Sequence, residues 1–115
     1  MIDDVFCKIA KGEIPKEFIY KDKDFMVFYD INPQTPVHFL VVPIKHFFDI
    51  HDMLEKDSYL FSKAMAVADK VAHEVGIAKK GYRLILNEGE DGGKLVPHLH
   101  IHLLGGKKLG PKIVK

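Results

Sequence analysis

The chain has 115 residues, 47% apolar and 29% charged, with a formal net charge of +1. That is enough for one domain, residues 1–115, with a real core, and too little for two. Near-neutrality excludes a domain whose main work is gripping a nucleic-acid backbone, so any phosphate recognition is local to a pocket. Cys7 is the only cysteine, which excludes an internal disulfide. With no signal-like start and no apolar run long enough to span a bilayer, the expected location is the cytoplasm, with neither membrane nor nucleic acid as partner.

In chain order, Asp3 to Ala10 (DDVFCKIA) predicts a short helix capped by Asp3 or Asp4 and stopped by Gly12. Glu17–Tyr20 and Phe25–Asp30 read as two strands of a hairpin around a polar KDKD turn. Two prolines make Ile31–Pro36 a loop. Val37–Pro43 (VHFLVVP) is β-branched and nearly continuously apolar, as expected of a strand in the middle of a sheet. His51, in DIHDM, is expected on a surface loop. A long helix follows, capped by Asp57 or Ser58, with Leu60, Ala64, Val67, Ala68, Val71 and Val75 on one stripe and Gly76 at its end. Tyr82–Asn87 reads as a strand, Glu88–Gly93 as a Gly-rich loop, and His98–Leu104 as the last strand. The sum is an α+β domain, a five-stranded mostly antiparallel sheet with one long and one short helix packed on one side.

The last strand carries the chemistry. In HLHIHLL, side chains alternate faces, so His98, His100 and His102 share one face at intervals of about 6–7 Å, while Leu99, Ile101 and Leu103 take the other. Histidine is not a favoured strand former, and three neighbouring imidazoles repel one another when protonated. Two chemical readings account for the pattern. His-x-His on a strand can place two nitrogens on a metal, with His38 or His46 as further ligands. Alternatively, a neutral imidazole attacks phosphorus while a neighbour handles the departing group.

The pattern His98-Leu-His100-Ile-His102-Leu-Leu resembles the signature of the histidine-triad family. CKIAKGEIP, FYDINPQTPVHFLVVPIKH, YRLILNEGEDGG and HLHIHLLGGKKLGP follow in the order typical of its Hint branch, and the GGKKLGP tail is most similar to bacterial-type members. The resemblance implies a histidine-triad fold that dimerises into a continuous ten-stranded sheet. It also implies a purine nucleotide partner (AMP, GMP and their phosphoramidates) and cleavage of a nucleoside 5′-phosphoramidate to the monophosphate and an amine. Carried across, His100 is the nucleophile that becomes nucleotidylated, His102 contacts the phosphate or leaving group, and His98 and His38 support the reactive ring. Asp30 matches the acidic residue on the ribose hydroxyls. Ile31, Phe28, Val5, Ile9 and Ile14 match the apolar walls around the purine, and Asn87 and Gly93 match phosphate-side contacts. The alternatives are a dinucleoside polyphosphate hydrolase or a nucleotide-binding regulatory module with little catalysis.

The residues agree with this reading at several points. A carboxylate such as Asp30 accepts two hydrogen bonds and so suits vicinal hydroxyls. Gly92 and Gly93 let backbone N–H groups approach phosphate. The chain also departs from the pattern. Lys94 and Leu95 stand where relatives often carry Gln-Ser or Gln-Thr on the leaving-group side, and Leu95 donates no hydrogen bond. Some relatives hold a structural zinc through Cys-x-x-Cys and two histidines matching His46 and His98. Here Asp4 stands in place of the first cysteine, so only Cys7, His46 and His98 match and the set is complete only if Asp4 substitutes; a structural zinc is not expected, and no cofactor is required. A dimer would bury the second side of the long helix, around Phe61, Met65 and Ala72.

Overall fold

The computed structural model describes residues 3–111. The elements are α1 (Val5–Ala10), β1 (Tyr20–Lys21), β2 (Phe25–Tyr29), β3 (Val37–Pro43), α2 (Ile50–Glu74), β4 (Arg83–Ile85) and β5 (Ile101–Gly105). One five-stranded sheet forms in the order β1-β2-β3-β5-β4, and every neighbouring pair is antiparallel. β3 is the central strand, as its apolar run implies. Phe39 and Val41 point to one face and Leu40 and Val42 to the other, all buried.

The hairpin forms because the Asp22 carboxylate accepts from the amides of Asp24 (2.8 Å) and Phe25 (2.7 Å), turning the chain just after β1. α1 starts where Asp4 accepts from the Cys7 amide at 2.8 Å. α2 begins earlier than the sequence suggests. Asp49 caps it through the Asp52 amide at 2.8 Å, and Asp57 (φ −161°, ψ 80°) marks a break inside it. The expected cap at Asp57 is therefore a real discontinuity, but an extra helical segment precedes it because Met53 is drawn fully into the core. His51 accordingly lies on the first turn of α2, not on a loop, and pairs with Glu55 at 2.5 Å.

The helices do not share one side of the sheet. α2 packs on the face carrying Phe25, Val27, Phe39, Val41, Ile101 and Leu103. Phe6 and Ile9 of α1 pack on the opposite face with Met26, Phe28, Leu40 and Val42. A sheet whose central strand is apolar on both faces has to be covered twice, which is the reason for the difference. Ala72 is fully buried in the α2-side core and so is not open to a partner, while Phe61 and Met65 are partly exposed. Among the described residues no helix is long and apolar enough to cross a membrane.

Candidate active site

The three histidines enter the α1-side face from the end of the chain that feeds β5. Only His102 falls within the strand itself; His98 lies in a bend before it and His100 in the irregular residues between. The alternation nevertheless holds, because Leu99, Ile101 and Leu103 all reach the α2-side core. α1 covers part of the histidine face. The Phe6 ring meets the rings of His98 and His100 in tilted or edge contacts, with centroids 5.5 and 5.1 Å away. Exposure rises along the row: His98 0%, His100 7%, and 21% for the His102 side chain.

Backbone acceptors and donors fix the tautomers. His100 Nδ1 lies 2.7 Å from the His98 carbonyl, which can only accept, so the proton sits on Nδ1 and Nε2 keeps its lone pair. His38 Nδ1 accepts from the Gln34 amide at 3.0 Å, so His38 donates through Nε2 to His102 Nδ1, 2.9 Å away. A neutral His102 then carries its proton on Nε2. Asp30 stands beside this pair, its carboxylate 3.4 Å from His38 Nε2 and 3.9 Å from His102 Nδ1. Its other oxygen accepts from the Asn32 amide at 2.8 Å, so Asp30 is a turn former as well.

Burial disfavours the protonated form of His98, His100 and His102. Desolvation pushes the pKa of His98 and of His100 below the ordinary imidazole value. For His102, desolvation and then the neighbouring His100 and His38 outweigh the attraction of Asp30 and bring it down to about 4.

His100 and His102 line a cavity of about 480 Å³. One wall is apolar: Val5, Ile9, Ile14, Phe28 and Ile31, the residues singled out from the sequence, all border it. Asp30 lies on its rim, and Asn87, Gly93 and Leu95 close another side. His98 and His38 stay behind the lining residues. Lys94 departs from expectation. Its ammonium folds back to donate to the Phe48 carbonyl and stands 3.8 Å from Glu88, so it ties the loop to the segment before α2 and does not border the cavity. The Asn87 side-chain amide donates to the Gly92 carbonyl at 2.7 Å and shapes the same loop. Gly92 is required there, because a Cβ would stand 2.2 Å from the Glu88 carbonyl oxygen.

Phe6, Lys16, Asn32, Leu40 and Val96 also border the cavity and were not among the sequence candidates. Leu40 was findable. It alternates with His38 on β3, and the register places it between Phe28 and His102. Lys16 and Val96 carry no periodic signal, since they lie on connecting chain.

Behind His98 is a second cluster. Its Nε2 faces the Pro43 carbonyl at 3.0 Å and so holds the proton, leaving Nδ1 toward Asp4 (3.2 Å), Cys7 Sγ (3.6 Å) and His46 Nδ1 (3.2 Å). His46 Nδ1 also meets Asp4 at 3.1 Å and Cys7 Sγ at 3.4 Å. Burial alone would raise the Asp4 pKa, but the Cys7 amide, the Cys7 thiol and the two imidazoles outweigh it and hold the carboxyl below its usual value. A carboxylate, a thiol and two imidazole nitrogens, all within 4.8 Å of one another, form a four-donor set of the kind that suits a tetrahedral zinc ion. Asp4, Cys7, His46 and His98 would hold it, and its contribution would be structural, joining α1, the segment after β3 and the approach to β5.

A hydrogen-bonded imidazole pair, a third ring whose Nε2 is unprotonated and an adjoining cavity with one apolar wall thus stand together. The model of the HIT domain family matches residues 11–109, and the chain belongs to that family. It is 40% identical to the purine nucleoside phosphoramidase of Escherichia coli K12 over 109 residues, 95% of this chain and 92% of that protein. Among solved structures, a HIT family hydrolase from Clostridium thermocellum superposes with a TM-score of 0.94 at 44% identity, covering 99% of both chains. A histidine triad protein from Clostridium difficile does so at 0.92 and 45%, covering 97% of each.

Proposed function

We propose that this protein hydrolyses purine nucleoside 5′-phosphoramidates, those of AMP and GMP, to the monophosphate and an amine through a nucleotidyl intermediate on His100. The observation that carries the reading is the His100 ring: its Nδ1 proton is committed to a backbone carbonyl 2.7 Å away, and burial favours its neutral form. In this reading Nε2 attacks the α-phosphorus, and the P–Nε2 bond forms as the P–N bond to the amine breaks. The phosphoramidate nitrogen is already protonated in the reacting form, so the amine departs with that electron pair as a neutral molecule, because an amide anion is not a viable leaving group. His102, with its proton on Nε2, donates a hydrogen bond to the phosphate. Water then attacks the phosphorus. One of its protons passes to solvent, its oxygen leaves on the monophosphate, and the electron pair of the broken P–Nε2 bond returns to His100.

Asp30 receives the ribose hydroxyls, and the wall of Val5, Ile9, Ile14, Phe28 and Ile31 receives the purine. The enzyme works as a homodimer joined through β4, which is an edge strand with half-buried Arg83, Leu84 and Ile85. No metal enters the chemical steps.

The test is mass spectrometry of protein quenched soon after mixing with an adenosine 5′-phosphoramidate. An adenylyl adduct on His100 is the expected result. An adduct on another histidine, or AMP release by the His100→Ala variant, would refute the assignment. Light scattering that finds a monomer at micromolar concentration would refute the dimer.

A further inference from the structure

The connecting chain between α1 and β1 alternates in burial from Glu13 to Phe18. Ile14, Lys16 and Phe18 are half-buried, and Glu13, Pro15 and Glu17 are exposed. Ile14 and Phe18 pack onto the α1-side core with Phe28. A lysine thus takes the middle place on an apolar, inward-turned row, where its charge hides the alternation from the sequence. Its ammonium lies over the Phe28 ring, 5.3 Å from the centroid, and the side chain borders the cavity together with Ile14 and Phe28. Among the described residues no carboxylate pairs with it. A partly desolvated ammonium with no anion beside it favours any acceptor brought into the cavity.

Lys16 stands at the base end of that cavity. Ile14 and Phe28 belong to the wall assigned to the purine. At the phosphate end, desolvation and then His100, His38 and Asp30 move the His102 pKa, and Lys16 is not among these groups. Adenine and guanine share the acceptor N7 and differ beside it, where guanine carries the carbonyl O6 and adenine an amino group. An ammonium has donors and no acceptor, so it bonds O6 together with N7 and is opposed by the adenine amino group. Asn32, on the rim beside Asp30 and Ile31, would have the contrary effect, since a side-chain amide pairs with the N7 and amino group of adenine.

We infer that Lys16 reads the 6-position of the base, so that the enzyme prefers phosphoramidates of 6-oxopurine nucleosides, guanosine and inosine, over those of adenosine. The inference rests on the phosphoramidase reading above and narrows its substrate class. Lys16 is a specificity-determining residue here, and it stands outside the set of positions that the family resemblance assigns to the purine.

The experiment compares the unsubstituted 5′-phosphoramidates of guanosine, inosine and adenosine. The guanosine and inosine substrates are expected to exceed the adenosine one in kcat/KM by about tenfold, toward the low end of what a lysine contact to a base edge gives. In Lys16→Met, which keeps the apolar stem and removes the donor, both ratios should fall to within about twofold of one. Lys16→Arg should keep them, because a guanidinium also donates to O6 and N7. Each ratio is taken on one preparation, so a variant that folds incompletely lowers all three rates and leaves the ratio readable. A guanosine-to-adenosine ratio near one in the parent protein, or one that survives Lys16→Met, overturns the inference and leaves the phosphoramidase reading standing. Inosine behaving like adenosine overturns it too, by assigning the discrimination to the 2-amino group. A preference for adenosine overturns it in favour of Asn32. Absence of turnover with all three substrates overturns both readings.

Discussion

The two faces of the sheet come from the same strands and have opposite characters. On the α2 side, Leu99, Ile101 and Leu103 join Phe39, Val41 and the α2 stripe in a core without a histidine. On the α1 side, the alternating residues of the same segment are His98, His100 and His102, facing His38, Asp30 and a cavity. A shift of one residue in register would exchange the two faces, so core packing on one side fixes where the imidazoles point on the other. Rigid placement of the His100 ring is thus a by-product of hydrophobic burial.

The sharpest way to break this comparison is to alter neighbouring residues that face opposite ways. His100→Ala should reduce phosphoramidate turnover by at least about 10⁴-fold, as expected when a covalent nucleophile is removed. Its melting curve should stay close to that of the parent. Leu99→Ala should do the reverse. Leu99 is 1% exposed and packed against the α2-side core, so truncation should cost about 2–5 kcal/mol by denaturant unfolding. Activity per folded molecule should largely survive. If Leu99→Ala abolished turnover without loss of stability, the division between the faces would be wrong.

His38 tests the relay within the active face. It sits between the Gln34 amide and His102 Nδ1, and its ring sets which nitrogen of His102 carries a proton. Replacing it with Phe keeps bulk at a site where His38 is 4% exposed but removes the donor. kcat should fall by about 10²-fold, the lower end for positioned acid–base groups, with KM little changed. A rise in KM at constant kcat would mean that His38 contributes to binding alone.

Much of this was legible before any coordinates. The strand alternation, the central apolar strand and the cap at Asp4 follow from periodicity and local hydrogen-bonding chemistry, which act over a few residues. The apolar wall was reached through resemblance, and the structure does bring Val5, Ile9, Ile14, Phe28 and Ile31 to one cavity. What stayed hidden depends on distant partners. Lys94 stands at a leaving-group position of the family pattern, but the Phe48 carbonyl, 46 positions away, claims its ammonium. The first segment of α2 was missed because its signal is Met53 burying against the sheet, a tertiary effect that outweighs weak local propensity.

The cluster behind His98 joins the two kinds of region, since it is buried like the core and polar like the site. Protein stripped by a chelator and then titrated with Zn²⁺ should gain a few degrees in melting temperature, because an ion bound only by the folded state stabilises it by mass action. Asp4→Ala and His46→Ala should blunt the gain. Turnover should survive chelation, since His100 faces the cavity and not the cluster. Loss of turnover on chelation, restored by the metal, would move the cluster from a structural role to a chemical one.

The smallest expected effect lies far from both faces, where the hairpin meets α2. Asp22 accepts from the Tyr20 hydroxyl at 2.6 Å and from two backbone amides, with Lys63 of α2 3.5 Å away. Desolvation opposes its ionisation, but these donors prevail and lower its pKa from 3.8 to about 2. A carboxyl with a depressed folded-state pKa stabilises the fold fully above its unfolded value, and that contribution is lost as pH falls through the folded one. The shift corresponds to about 2 kcal/mol at neutral pH, an upper figure because the side chain is 23% exposed. Asp22→Asn should therefore be less stable than the parent by up to that amount at pH 7. The gap should hold down to about pH 4 and close toward pH 2, since the asparagine cannot ionise in either state and the parent loses its advantage on protonation. A gap that stayed constant across that range would assign the loss to the turn hydrogen bonds alone and would remove the carboxylate charge from the account.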